Sequence, residues 1–518
     1  MNKIKNLQWW ILAACATSLS MVFMDQTALP ITLPAIQREF NASGTLLQWV
    51  VNSYLLILAT FVIAGGKIAD LYGHKRIFLI GQTIFVLSSI SCALSPNMMW
   101  AIISRGVQGI GGALMIPATT AIIYNAFKPQ ERGRAMGVYI GISSVFLTLG
   151  PLLGGLLSQY LSWRWVFWVN FPIAILGVSI GLRVIPEDKQ DLRWKKIDGL
   201  GFLLITLAIF TLVFALMEGT NLGWASAIII SCFVTTVVAS YLFFVVERRH
   251  KNPLVDLAIF RDKTFAVGCS CLALVQAVAM CTIYWILYLQ YVSGLAAGKA
   301  GVYLIMAQAP VTLMAPIAGR FVDRWGPRRV AQVATGVLIL SYLWVAFAGA
   351  EEWLAGLLSG FVIFGATIPF MMNSIMSTAL INISPQKRGV ASGILNSSRQ
   401  LGASIGLALL TSLMAILNYQ GMSQLSLKQP QILPLLSHRS LEAFLSGGEL
   451  TATVKNNLSA SGFVDIFTLA KKMYAHNFSL MMIASLVLLF IIGFFVSQLP
   501  KLKIVNQQEK SHEANYSE

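Results

Sequence analysis

Of the carboxylates in this 518-residue chain, Asp25 is the one set deep within an apolar run. A carboxylate at membrane depth is expensive to bury and functional by default. Counted from Trp9, it stands about 24 Å up a helix that rises 1.5 Å per residue. Pro30 and Pro34 follow and loosen that helix by removing two backbone donors. Arg105 enters another run from the opposite, outer side, about 10 Å below that surface, and Asn52 reaches a similar depth from the other direction. A carboxylate, a guanidinium and an amide at one level could take and release a proton if desolvation raises the acid's pKa. Asp25 and Arg105 could equally be a fixed ion pair holding two helices together. Arg105, Gln108, Gly109 and Gly112 share one helical face, so the arginine looks onto a close contact or a cavity rather than lipid; both readings survive that placement. Glu218 ends its own run and is a weaker proton site.

Gly150-Pro151-Leu-Leu-Gly154-Gly155 stands inside one run, with Gly137 and Gly141 earlier on the same helix. Such spacing lets backbones approach and permits a bend, which simple helix packing would also use. Tyr284, Trp285, Tyr288, Phe370, Met371 and Met372 could line a cavity for flat lipophilic cations or face lipid. Buried hydrogen-bonding groups are few: Asn52, Gln276, Gln308, Asn373 and Asn396. The candidate binding set is therefore Asp25, Asn52, Gln108, Phe146, Tyr284, Trp285, Phe370, Asn373 and Asn396. No metal or cofactor is expected, and no enzyme, because the histidines fall outside the spans or at their ends.

What must position these residues is a bundle of membrane helices. The chain is 56% hydrophobic and 11% charged, with a mean hydropathy of +0.71. Apolar runs of about 20 residues, enough to cross a hydrocarbon core, recur with short polar links between them. None alternates like an outer-membrane strand. The spans are expected at 9–34, 46–68, 77–94, 98–123, 135–160, 165–182, 198–217, 226–246, 264–293, 300–321, 330–350, 353–377, 390–417 and 477–498. The tightest link, Gly66-Lys-Ile-Ala-Asp70-Leu-Tyr-Gly73-His-Lys75-Arg76, returns as Gly319-Arg-Phe-Val-Asp323-Arg-Trp-Gly326-Pro-Arg328-Arg329. Pro129-Gln-Glu-Arg-Gly133 returns as Pro385-Gln-Lys-Arg-Gly389. A common offset of about 250 residues argues for an internal duplication, and the surplus length between the halves fits the pair of spans at 198–246.

The expected architecture is an all-α polytopic membrane protein: six helices in residues 1–182, links and a two-helix insertion in 183–263, and six helices in 264–498. A long outer loop at about 418–476 and a tail at 499–518 complete it. The net charge of +16 comes from lysines and arginines concentrated on one side. That bias places both termini in the cytoplasm, in a bacterial-type inner membrane, and argues against nucleic acid. The six cysteines all lie in apolar runs, so no disulfide framework is expected. Lys3, Lys5 and Leu12-Ala-Ala-Cys15 imitate a lipoprotein signal, but the run continues past Cys15. Leu445-Ser-Gly-Gly-Glu449 resembles an ATP-cassette signature, yet the chain has no phosphate-binding loop. Transport would draw on a gradient.

These residues together resemble the major facilitator superfamily over about 9–500. The first link looks like its signature loop, with Ile68, Leu71 and His74 departing from the pattern. The stretch around Arg105, Gln108 and Gly109 resembles the motif associated with proton coupling. Gly150-Pro151-x-x-Gly154-Gly155 resembles the exporter motif, with Phe146 where a glycine is usual. Met24-Asp25-Gln-Thr27 through Pro34, and Trp163-Arg-Trp through Pro172, resemble the fourteen-span drug/proton antiporters. The resemblance implies proton-driven export of lipophilic, often cationic compounds by alternating access, with Asp25 and Arg105 in coupling and Gly66, Asp70, Gly73, Lys75, Arg76, Gly319, Asp323, Gly326 and Arg328 in gating. Partners would be a small-molecule substrate, protons, the bilayer and, where the cell has an outer membrane, a periplasmic adaptor. The alternative is gradient-driven transport of one metabolite or siderophore-like compound.

Overall fold

A computed structural model describes residues 2–128, 131–187, 198–250, 253, 255, 257–383, 388–428 and 460–500. Fourteen helices among the described residues are long and apolar enough to cross a membrane. We number them α1 (Asn2–Phe40), α2 (Gly44–Tyr72), α3 (His74–Ala93), α4 (Met98–Ala126), α5 (Arg132–Tyr160), α6 (Trp165–Val184), α7 (Gly199–Leu222), α8 (Ala227–Arg249), α9 (Lys263–Tyr291), α10 (Ala297–Trp325), α11 (Pro327–Ala350), α12 (Leu354–Ala379), α13 (Arg388–Lys428) and α14 (Ala460–Gln498). Local chemistry sets several boundaries. Ser43, Asn97, Asp198 and Ser226 cap α2, α4, α7 and α8 by accepting a first-turn N–H, the role short polar side chains play there. Gly73 and Gly326 join α2 to α3 and α10 to α11 with φ of 95° and 81°. Only glycine adopts such angles cheaply, so the chain reverses within one residue at the same place in each repeat.

The packing repeats as the sequence does. α4 sits between α2 and α3, α5 lies along α1, and α6 touches α1 and α3. Moved on by eight helices, the same pattern returns: α12 between α10 and α11, α13 along α9, and α14 against α11 and α9. The two sets meet mainly through α5 against α10 and α2 against α13. The pair α7–α8 stands beside this arrangement. α7 packs on α2 and α13, through Ile209, Val213 and Met217 against Trp49, Leu56 and Ala408. α8 packs on α7 and turns Ile228, Ile230, Val234, Val237 and Tyr241 outward, as a lipid-facing helix does.

The link between the last two spans is shorter than the 418–476 expected from the sequence. α13 continues to Lys428, and α14 begins at Ala460. Asn477 donates to Asn418 at 2.9 Å, and Lys471 pairs with Glu352 at 3.2 Å, so contacts at the loop's base hold the extended α14 in place. The Leu441–Leu445 and Leu445–Glu449 stretches lie outside the described residues, as do Pro129, Gln130 and 384–387 of the second repeated motif.

Candidate functional site

Asp25 and Arg105 form an ion pair, Oδ2 to a guanidinium nitrogen at 2.6 Å, with both side chains almost wholly buried. The same nitrogen donates to Gln108 Oε1 at 2.7 Å, and Arg105 Nε donates to the Val50 carbonyl at 3.1 Å. Gln108 Nε2 reaches the other Asp25 oxygen at 3.4 Å. The Tyr54 ring lies 4.3 Å beneath the guanidinium carbon, a cation–π contact in a low-dielectric setting. One face of α4, one acid of α1 and one face of α2 thus close a network whose charges cancel.

Asn52 stands apart from this network. It donates to the Ser404 carbonyl at 3.2 Å, accepts from Ser404 Oγ at 2.6 Å and touches Met217 sulfur at 3.0 Å. At 100° per residue, Asn52 points almost opposite to Val50 and Tyr54 on the same helix. It ties α2 to α13 and α7, and the amide beside the ion pair is that of Gln108. Glu218 is half-buried and accepts from Trp49 Nε1 at 2.8 Å and Asn221 at 3.0 Å, which binds the end of α7 to α2.

A cavity opens on the Asp25 side of the network, with walls from both repeats. Gln26, Tyr54 and Pro151 face it from the first, and Gln276, Met280, Gln308 and Gln400 from the second. The aromatic candidates on α9 lie elsewhere. Trp285 stacks on Phe361 at 4.2 Å inside the second repeat, and Tyr284 donates to Thr411 at 3.1 Å. The α9 face on the cavity carries Gln276, Met280, Ile283 and Ile286, at helical spacing. Phe146 packs on the Met24, Ala28 and Val166 cluster. Phe370 meets Phe321 edge-on at 5.7 Å, Asn373 donates to the Ala315 carbonyl at 3.0 Å, and Asn396 is half-buried on α13. The sequence reading named Gln276 and Gln308 but missed Gln26, Gln400 and Tyr54, since an amide or phenol in an apolar run carries no mark of the direction it takes.

The α5 glycines bracket the acid. A Cβ on Gly150 would strike Thr27 and come to 3.2 Å from the Met24 carbonyl, and one on Gly154 would come to 2.9 Å from Ala28 Cα. On the far side, a Cβ on Gly155 would meet Gly298 Cα at 3.1 Å, and one on Gly301 would meet the Pro151 carbonyl carbon at 3.0 Å. So α5 touches α1 within a turn of Asp25 and touches α10 with its other face. Gln159 accepts from Gly298 N at 2.9 Å, Gln290 donates to the Ile31 carbonyl at 2.9 Å, and Tyr291 donates to Gln37 at 2.5 Å. These bonds join the repeats at the end opposite the basic links.

At the basic end several contacts lie within one repeat. Asp70 is exposed and pairs with His74 of its own link at 3.0 Å. Gly66 lies 3.6 Å from Pro117 by its would-be Cβ, Lys75 donates to the Leu182 carbonyl at 3.2 Å, and Arg328 donates to that of Leu499 at 3.0 Å. Arg76 and Asp323 are exposed, and a Cβ on Gly319 would meet nothing within 4 Å. Lys67 reaches beyond the repeat: it donates to the Pro253 carbonyl and lies near the charges of Glu247 and Asp198 at the feet of α8 and α7.

Comparison with known proteins agrees with this architecture. The solved structure of a bacterial homolog of the human lysosomal transporter Spinster, in an inward-facing and unoccupied conformation, superposes with a TM-score of 0.66 at 18% identity, over 95% of this chain and 96% of that one. The multidrug resistance protein Stp of Mycobacterium tuberculosis is 34% identical over 414 residues, covering 78% of this chain and 75% of that protein. The tetracenomycin C resistance and export protein of Streptomyces glaucescens is 30% identical over 415 residues, covering 80% and 77%. The family profile of the Major Facilitator Superfamily matches residues 15–407. This duplicated bundle of membrane helices, a multi-pass transporter of small molecules, belongs to the major facilitator superfamily.

Proposed function

We propose that the protein exports lipophilic compounds in exchange for protons, with Asp25 as the acid that links the two movements. The observation that carries this reading is the buried Asp25–Arg105–Gln108 network on the wall of a cavity shared by both repeats. Protonating Asp25 would remove the charge that holds Arg105, and the two protonation states would then favour different packings of α1 against α4. The glycine contacts give that change a route, since α1 shifting at Met24–Ala28 moves α5, and α5 carries Ala297–Gly301 of α10 with it. The α1–α6 and α9–α14 sets would be the two rocking halves, and the basic face would be cytoplasmic in a bacterial inner membrane. A cationic substrate would compete for Asp25 only after Arg105 has left it, which makes proton and cation alternatives at one carboxylate. Where an outer membrane is present, a periplasmic adaptor would carry the product onward.

A second reading, transport of one polar metabolite, draws support from the glutamines Gln26, Gln276, Gln308 and Gln400 facing the same cavity. Ethidium uptake into everted vesicles, with and without an imposed proton gradient, separates the two. We expect gradient-dependent accumulation that Asp25→Asn abolishes and Asp25→Glu retains in part. Accumulation by Asp25→Asn with unchanged pH dependence would move the proton site elsewhere, with Glu218 next to examine. No ethidium transport by the wild type would favour the metabolite reading.

A further inference from the structure

Arg399 stands in the first third of α13, about 12 Å into the span counted from Ala391. It is half-buried, and among the described residues it has neither an acidic partner nor a hydrogen bond. A guanidinium at that depth is costly unless it faces water or a ligand, and the packing of α13 says which way it faces. Gly402 and Gly406 press against Ala273 and Ala277 of α9. Leu401, Ile405 and Ala408 pack on the α2–α7 side, and Ser404 bonds Asn52. The arc that remains holds Asn396, Gln400 and Ala403, with Arg399 at its edge, between Ala403 and the glycine contact with α9. Gln400 and Ala403 line the cavity that contains Asp25, and below them a Cβ on Gly393 would meet nothing within 4 Å. Arg399 stands one turn to the basic side of Ala403, next to the cavity lining and not part of it. Asp25 and Arg105 neutralise each other, so Arg399 leaves this neighbourhood with an uncancelled positive charge.

We propose that Arg399 is a second binding residue, whose guanidinium holds an acceptor oxygen of the transported compound (carboxylate, phenolate or carbonyl) as it enters from the basic face. This rests on the cavity being the transport path, but it does not rest on Asp25 being the proton site. The two charged positions divide the work: Asp25 attracts cationic groups when Arg105 departs, and Arg399 attracts oxygen-rich or anionic groups throughout. A planar fork with five donors suits such oxygens better than a lysine would.

Equilibrium binding of fluorescein, an anion, and ethidium, a cation, to the purified full chain in nanodiscs tests the assignment. The wild type should bind fluorescein, and Arg399→Gln should weaken that affinity about tenfold or more, the range for a charge-assisted hydrogen bond. Arg399→Lys should fall between the two, and ethidium affinity should be unchanged or improved. Asn396→Asp, which sets a carboxylate one turn from Arg399 without removing it, should weaken fluorescein similarly and keeps the test decisive if Arg399→Gln does not fold. Three results overturn the proposal: a wild type that does not bind fluorescein, full fluorescein affinity in Arg399→Gln or in Asn396→Asp, or equal loss of both dyes, which marks a structural role. Failure of the Asp25 reading looks different, since ethidium efflux would then survive Asp25→Asn while fluorescein binding still depended on Arg399.

Discussion

Arg105 serves three acceptors from two nitrogens, the Asp25 carboxylate, the Gln108 amide and the Val50 carbonyl. That geometry belongs to a guanidinium. A lysine offers one compact charge and cannot lie flat on the Tyr54 ring while reaching all three. Arg105→Lys should therefore insert at normal abundance and bind ethidium, yet lose gradient-driven efflux by about tenfold or more, because the pair would no longer release and re-form in one orientation. Vesicle efflux beside a quantitative immunoblot checks this, and near-normal efflux would reduce the arginine to a generic counter-charge. Asp70 teaches a related point. His74 departs from the family's signature loop and gives Asp70 a partner within its own link, a local pair on an aspartate that the resemblance assigns to gating.

Among the elements, the pair α7–α8 deserves its own account because the rest of the fold repeats without it. It is fastened at two levels. Near the cavity, Met217 and Glu218 of α7 meet Asn52 and Trp49 of α2. At the basic end, Lys67 of α2 lies near the charges of Glu247 and Asp198, both of them buried. Lys67→Ala would leave these two buried carboxylates without their nearby cation, at a cost of about 1–3 kcal/mol. Its melting temperature should fall, and that of Lys67→Ala combined with Glu247→Gln should fall less, since the second change removes one stranded charge. Melting curves of the wild type and both variants check this.

For the whole molecule, the decisive feature is which end of the two repeats is joined. Bonds from Gln159, Gln290 and Tyr291 close the end away from the basic links, while glycines 137, 141, 319 and 393 look onto open space. An alternating transporter must break the first set of contacts to release its cargo there. A disulfide between Gln159→Cys and Gly298→Cys, which lie at the α5–α10 contact, should hold this end shut and stop ethidium efflux. Reduction should restore it. The native cysteines are, apart from the half-buried Cys232, all buried, which favours the new pair as the site of oxidation. Full transport by the cross-linked protein would mean that this end does not open.

Burial in a membrane writes itself plainly into a sequence, because an apolar run must be long enough to span and a charge inside it needs a reason. Hence the helices, the duplication, Asp25, Arg105 and the α5 glycines were all legible from residue types and spacing. Direction around a helix was not. Asn52 and Tyr54 are two residues apart, yet one bonds Ser404 on α13 and the other lies under Arg105. Trp285 reads as a cavity residue but stacks inside the second repeat, whereas Gln400, silent in the sequence, faces Asp25's cavity. In an apolar run every face can be buried, against lipid or against protein, so hydropathy leaves the rotation of each helix undecided. Only the packing of α1, α2, α4, α5, α9, α10 and α13 against one another fixes it, and with it which side chains share the cavity and which end of the molecule is closed.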